Sequence, residues 1–114
     1  MKNARLRDSA LSVVTRSIGE LLGSRLAHIY VYGSQARGDA VEESDIDLLV
    51  VLHDPMSGEE IRAEKDAIRG LVWEKTFGSE LPIVVSVFVT SEKAFKDSHW
   101  PLFANVRAEG VCVV

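Results

Sequence analysis

The segment Gly33–Leu52 reads GSQARGDAVEESDIDLLVVL and decides the fold. It opens with a glycine and a serine, and it closes with an apolar run that carries two aspartates. The alternating run predicts a β-strand over about Asp45–Leu52, because successive side chains of a strand point to opposite faces. One face is predicted to hold Ile46, Leu48, Val50 and Leu52, and the other Asp45, Asp47, Leu49 and Val51.

The two aspartates of this strand suggest a cation site. Asp45 and Asp47 are separated by one residue, so their carboxylates share a face and lie about 7 Å apart along the strand. Neighbouring carboxylates repel each other in a dry site, and a divalent cation such as Mg²⁺ removes that repulsion because it prefers oxygen ligands. The alternative is a strand that begins in solvent, with both aspartates hydrated. The pair by itself leaves both interpretations open.

Gly33 and Ser34 follow a short strand that is predicted over about Ala27–Tyr32. A glycine allows the backbone to approach a ligand closely. The free N–H groups at the start of a helical turn beginning at Ser34 would favour a bound anion. An ordinary strand-to-helix turn has the same sequence pattern, so these residues alone do not separate the two interpretations.

The rest of the chain alternates predicted helices and strands. Apolar residues at helical spacing predict a first helix from Leu6 to Leu22, with Gly23 at its end. Ser57 and Glu60 form the S-x-x-E pattern of a capping box, which predicts the start of a long helix. Trp73 is expected on the packing face of that helix. Later elements are predicted to be a third strand at about Ile83–Val89, helical segments at Ser91–Lys96 and Pro101–Glu109, and a terminal strand at Val111–Val114.

This order of elements predicts an α/β or α+β fold in which helices cover one sheet. The 114 residues agree with a single domain over residues 1–114. A formal net charge of −4 argues against broad binding to DNA or RNA, which needs a basic surface. The single cysteine, Cys112, cannot form a disulfide within the chain and favours a reducing compartment. Without a signal-peptide pattern or an apolar run of ~20 residues, a cytoplasmic protein with no membrane span is expected.

The segment Gly33–Leu52 resembles the signature of the DNA polymerase beta superfamily of nucleotidyltransferases. That signature has a Gly-Ser, a short turn, and a strand that begins Ser-Asp-x-Asp-Leu. The form Gly-Ser-x-Ala-Arg-Gly-Asp followed by Ser-Asp-Ile-Asp-Leu is most similar to the minimal nucleotidyltransferases, the MNT antitoxin-like group. The resemblance implies a small mixed β-sheet packed with helices, as in the polymerase-beta-like nucleotidyltransferase fold.

The resemblance also implies roles for individual residues. Gly33 and Ser34 would hold the terminal phosphates of ATP or another nucleoside triphosphate. Asp45 and Asp47 would be the catalytic metal ligands, for two Mg²⁺ ions or, alternatively, Mn²⁺. Arg37 would contact phosphate or would pair with a nearby carboxylate. The implied reaction transfers a nucleoside monophosphate, expected to be AMP, to a hydroxyl group with release of pyrophosphate.

The acceptor implied by the resemblance is a second protein. Minimal nucleotidyltransferases of this kind commonly work with a helical HEPN-type partner, and in the toxin–antitoxin version the antitoxin adds AMP to a tyrosine of the HEPN ribonuclease toxin. Transfer to a small molecule, as in the aminoglycoside nucleotidyltransferases, is a second enzyme reading. A homodimer is a further alternative, but no residue of the sequence establishes it.

One part of the family pattern is missing. Related transferases usually carry a third carboxylate on a neighbouring strand, but this chain has no Asp or Glu between Ile83 and Thr90, and Ser86 is expected to take that place. A hydroxyl is a poor substitute for a charged metal ligand. Three alternatives follow. A carboxylate from elsewhere, such as Glu80 or Asp39, takes the place of the missing metal ligand, or the enzyme works slowly with two carboxylates. In the third alternative the domain binds a nucleotide or a partner without transfer.

Overall fold

A four-stranded mixed sheet lies between two groups of helices. The computed structural model describes residues 2–33, 46–76 and 83–114. The helices are α1 (Lys2–Leu22), α2 (Gly58–Lys75), α3 (Glu92–Asp97) and α4 (Pro101–Glu109), and the strands are β1 (Leu26–Tyr32), β2 (Ile46–Leu52), β3 (Val85–Ser91) and β4 (Val111–Cys112). The predicted α/β architecture is confirmed, and the described elements follow the predicted order.

The sheet has the strand order β3-β2-β1-β4. β1 pairs antiparallel with both β2 and β4, whereas β2 and β3 are parallel. A parallel pair needs a long crossover connection, and α2 lies on that connection. Because of these directions, the end of β1 and the starts of β2 and β3 meet at one end of the sheet.

The central strand β2 is covered on both faces, and the division of its described residues between the two faces is the one that the alternation predicted. Every residue of β2 except Asp47 is buried. One face packs in a core with α1 and α2, through Ile46, Leu48, Val50 and Leu52. The other face contributes Leu49 and Val51 to a second, smaller core with α4. Asp47 is therefore the only partly exposed position of β2, at the end where the strands meet.

The long helix α2 starts with the capping box that Ser57 and Glu60 predicted. The Ser57 hydroxyl accepts a hydrogen bond from the Glu60 N–H at 3.1 Å, and the Glu60 carboxylate accepts one from the Ser57 N–H at 3.0 Å. The backbone hydrogen bond from Ser57 lowers the pKa of Glu60. This contribution to stability is present above the ordinary carboxyl pKa and is lost as the pH falls through the lowered pKa.

Replacing the cap should destabilise the fold. In Ser57→Ala the Glu60 N–H loses its hydroxyl acceptor, so the free energy of unfolding should fall by about 1 kcal/mol. Urea denaturation followed by circular dichroism measures the change. Ser24→Ala is the control, because Ser24 is exposed and caps no α-helix in the described residues. An equal loss in both variants would show that the cap contributes nothing specific.

One aromatic prediction needs correction. Trp73 was expected on the packing face of α2 but is 63% exposed, because that helix packs through Ile68 and Val72. Trp100 is 47% exposed and makes edge contacts with the rings of Phe88 and Phe103. In the described parts of the chain, no helix combines the length and the hydropathy that a membrane span requires.

Candidate active site

Three chain segments meet where β1 ends and β2 and β3 begin. Tyr32 at the end of β1 lies opposite Asp47 in the antiparallel pair, and Asp47 lies beside Ser86 in the parallel pair. Residues paired in this way direct their side chains to the same face of the sheet. Tyr32, Asp47 and Ser86 therefore form a row of oxygen-bearing side chains across three strands, and Gly33 follows Tyr32 directly.

Gly33 is in close contact with Asp47. Its φ of +73° lies in the left-handed region, where glycine carries no steric penalty. A Cβ atom at this position would lie 2.8 Å from the Asp47 Oδ2 atom, closer than real side chains approach. The glycine thus allows the turn after β1 to lie directly against the carboxylate on β2. The sequence suggested that Gly33 allows the backbone to approach a ligand. The structure shows that it also allows the backbone to approach the Asp47 carboxylate.

Substitution of this glycine should affect both stability and the site. Gly33→Ala imposes a left-handed conformation on alanine and pushes the Asp47 carboxylate aside, so the free energy of unfolding should fall on the order of 1–3 kcal/mol. Gly70→Ala is the matched control, because a Cβ there meets nothing within 4 Å. In the middle of α2 that change should stabilise the fold by roughly 0.5–1 kcal/mol. Urea titrations of both variants test the pair, and an unchanged Gly33→Ala would show that the turn relaxes freely.

Tyr32 lies in a partly buried position next to this carboxylate. Burial raises the pKa of its hydroxyl, and the negative charge of Asp47 raises it further. The phenol therefore stays protonated at neutral pH and remains a hydrogen-bond donor at the edge of the site. Ser86, by contrast, is exposed. Asp47 thus lies between a neutral hydroxyl on β1 and another on β3.

Several predicted site residues lie outside the described residues. They are Ser34, Arg37 and Asp45, together with the substitute carboxylates Asp39 and Glu80. Their roles remain predictions. Among residues 2–33, 46–76 and 83–114, no group of three or more His, Cys, Asp and Glu side chains is placed to hold a metal ion.

The chemistry of the donors nevertheless suits a hard cation. Asp47 supplies a carboxylate at the strand end, and the Ser86 hydroxyl is its neighbour on β3. Asp45, which the sequence predicts on the same face as Asp47, lies outside the described residues, so its share in this site remains a prediction. Oxygen ligands of this kind are those that Mg²⁺ takes together with phosphate oxygens. The residues therefore fit a divalent ion held partly by the protein and partly by a bound nucleotide.

A groove of about 470 Å³ begins at this row and continues beside β3. Tyr32 and Ser86 line it at the site, and Val84, Phe88, Arg69 and Trp73 line it farther along. We call this the β3 groove. Sequence reasoning missed it, although Arg69 and Trp73 are one helical turn apart on α2 and therefore lie on the same side of that helix.

The family of the chain is shown by comparison with known proteins. The model of the nucleotidyltransferase domain family matches residues 13–100, which include the Gly-Ser pair and both aspartates. The chain belongs to this nucleotidyltransferase family. A relative from Methanocaldococcus jannaschii, whose name proposes that it is a protein adenylyltransferase, is 30% identical over 104 residues. That match covers 90% of this chain and 93% of the relative.

Solved structures share the fold of this nucleotidyltransferase. A crystal structure of a proposed nucleotidyltransferase from Sulfolobus solfataricus matches with a TM-score of 0.58 and 21% identity, covering 98% of this chain and 86% of that one. A toxin–antitoxin structure with AMP-PNP matches with a TM-score of 0.55 and 18% identity over 89% of this chain and 70% of that one. A mutant of the toxin–antitoxin pair MntA-HpeT matches with a TM-score of 0.52 and 14% identity over 92% and 71%. The polymerase-beta-like fold is therefore confirmed.

Proposed function

We propose that this nucleotidyltransferase transfers AMP from ATP to a hydroxyl group of a partner protein. The observation that carries the proposal is the contact between Gly33 and Asp47, which brings the glycine of the Gly-Ser motif onto a carboxylate of the Asp-x-Asp motif. A phosphate held by the turn at Gly33 would lie next to that carboxylate. The name of the M. jannaschii relative and the AMP-PNP in a structural neighbour support adenylyl transfer.

The residues of the site divide the task between them. Gly33 and Ser34 would bind the terminal phosphates through backbone N–H groups and the serine hydroxyl. Asp45 and Asp47 would hold divalent metal ions, and when bound these ions supply charge neutralisation for the polyphosphate. Tyr32 stays a neutral donor beside Asp47, so it adds no negative charge to a site that must accept a triphosphate. Arg37 is proposed to contact phosphate or to pair with a carboxylate.

The partner is proposed to be a helical HEPN-type protein, so that the chain would be the antitoxin of a HEPN/MNT toxin–antitoxin pair. Two structural neighbours are toxin–antitoxin structures, which supports such a pairing. Transfer to an aminoglycoside-type small molecule remains the second enzyme proposal. The cytoplasmic location and a homodimer also remain proposals, as does the extent of the domain over residues 1–114.

A non-catalytic alternative is favoured by one observation. The β3 residue beside Asp47 is Ser86, so the position next to the predicted metal ligand has a hydroxyl instead of a carboxylate. A serine coordinates a metal ion more weakly than a charged ligand does. In this alternative the domain binds ATP or its partner but transfers nothing.

Label transfer separates the two functions. The chain is incubated with ATP labelled at the α-phosphate, Mg²⁺ and a co-expressed HEPN-type partner, with Asp45→Asn/Asp47→Asn as the control. Label on the partner that disappears in the control supports transfer. Absence of label, with Mg²⁺-dependent ATP binding intact by isothermal titration, supports the binding module. Absence of both label and ATP binding rejects transfer and nucleotide binding, and leaves only a module that binds its partner.

A further inference from the structure

The side of β3 that faces away from β2 is an open edge in the part of the chain that the structure describes. β3 is the last strand of the sheet among the described residues. The Ile46 N–H donates to the Val84 carbonyl at 3.0 Å, so Val84 directs its backbone towards β2. In a parallel ladder alternate residues face the same neighbour. Val85, Val87 and Val89 therefore direct their N–H and C=O groups outwards, where a further strand could pair.

The β3 groove borders this open edge and is apolar and aromatic at its surface. Trp73 is 63% exposed, Val84 is 45% exposed and Phe88 is 37% exposed. These side chains leave a contiguous apolar surface beside the groove, which is the kind of surface that marks an interaction site. Aromatic side chains are also the ones that most often anchor an interface.

Two cationic side chains lie in or beside the groove. Arg69 lines the groove and is exposed, and none of the described residues that line the groove is acidic. The Lys65 ammonium, one helical turn earlier on α2, lies 5.9 Å from the centre of the Phe88 ring and so reaches over the β3 edge. The whole chain, in contrast, has a formal net charge of −4. A negatively charged segment is therefore the complement that this groove fits.

The groove is also continuous with the candidate site. Ser86 lines its end, and Ser86 is the residue paired with Asp47. A segment lying along β3 would advance about 3.3 Å per residue, so a few residues would cover the edge from Phe88 to Ser86. Its side chains would alternate between the Arg69 side and the Ser86 side. A hydroxyl-bearing residue at the right position would reach the row that contains Asp47.

We propose that the β3 groove is the acceptor-docking site, and that it takes an extended, acidic, hydroxyl-bearing segment of the partner protein as an added strand on β3. Backbone groups of Val85, Val87 and Val89 would pair with the segment, in the manner of β-strand addition. Arg69 and Lys65 would select its acidic residues, and Trp73 would pack against its apolar ones. This inference rests on the proposed function, because it specifies the chemistry of the acceptor for the same site.

The docking step can be measured without ATP. A fluorescently labelled random copolymer of glutamate and tyrosine is the probe, because it is acidic, flexible and rich in hydroxyl groups, and a lysine–tyrosine copolymer has the opposite charge. Binding is measured by fluorescence anisotropy. The acidic copolymer should bind more tightly than the basic one, and its affinity should fall as salt is added.

Variants of the groove locate the binding. Arg69→Glu should weaken binding of the acidic copolymer roughly tenfold or more, and Arg69→Gln should have an intermediate effect. Arg16→Glu is the matched control, since it makes the same charge change at an exposed arginine of α1 outside the groove. Circular dichroism checks that each variant is folded, and the glutamine variant carries the test if the glutamate variant is not.

The outcomes distinguish this inference from the proposed function. The docking site is rejected if Arg69→Glu and Arg16→Glu weaken binding of the acidic copolymer equally, or if the basic copolymer binds as tightly as the acidic one. Either result rejects it whatever label transfer shows. Loss of ATP affinity in Arg69→Glu, with copolymer binding unchanged, would assign the groove to the nucleotide and also reject it. Sedimentation that shows a dimer which Trp73→Ala dissociates would assign the groove to a second copy. Copolymer binding that depends on Arg69, in a chain that transfers no label, would support docking and reject catalysis.

Discussion

Asp47→Asn is expected to lower the rate of nucleotidyl transfer on the order of 10²–10³-fold while leaving the fold intact. The substitution keeps the size of the side chain but removes the negative charge from the only partly exposed position of β2. An amide is a weaker ligand for a hard cation than a carboxylate. Label transfer from α-labelled ATP measures the effect, and the ATP affinity at fixed Mg²⁺ should fall with it.

Asp66→Asn is the matched control for this prediction, because Asp66 is an exposed aspartate of α2 that makes no contribution to the site in the described residues. A spectroscopic check is also available. Burial is the larger cause of the raised pKa of Tyr32, but the charge of Asp47 adds to it, so that pKa should move down in Asp47→Asn. Unchanged transfer in Asp47→Asn, with the Tyr32 pKa lowered, would mean that the chemistry does not depend on this carboxylate.

The sequence predicted best those features that depend on a local pattern. The two faces of β2 followed from alternation, and the start of α2 followed from Ser57 and Glu60 three residues apart. The mixed sheet followed from the resemblance, and its parallel pair has a physical reason in the helix α2 between β2 and β3. Each of these depends on residues close together in the chain or on a known motif.

Features that depend on how distant segments meet were not predicted. The contact of Gly33 with Asp47 follows from the register between β1 and β2, which no local pattern specifies. The prediction that Trp73 lies on the packing face of α2 was wrong. α2 packs through Ile68 and Val72, and the Trp73 side chain lies about 100° around the helix axis from that of Val72. The exposure of Trp73 and the β3 groove therefore could not be predicted from local sequence patterns and required the three-dimensional structure.

The effect of Ser86 on catalysis can be tested by adding the missing charge. Ser86→Asp should raise the rate of label transfer roughly tenfold or more, because a further carboxylate beside Asp47 strengthens metal binding and 1.36 kcal/mol of transition-state stabilisation corresponds to tenfold. The position allows the change, since Ser86 is exposed and is paired with Asp47 on the same face of the sheet. Ser86→Asn is the control of equal size without the charge, and its rate should not rise.

The same variant should show a stability that depends on the metal. Without Mg²⁺ the two neighbouring carboxylates repel each other and raise each other's pKa, so the melting temperature at neutral pH should fall below that of the unsubstituted chain. With Mg²⁺ the repulsion becomes shared coordination, and the melting temperature should rise more in Ser86→Asp than in Ser86→Asn. A Mg²⁺-dependent rise without faster transfer would mean that the carboxylate binds metal while the domain remains a binding module. If neither the Mg²⁺-dependent rise nor faster transfer is observed, the Ser86 position is not part of the metal site.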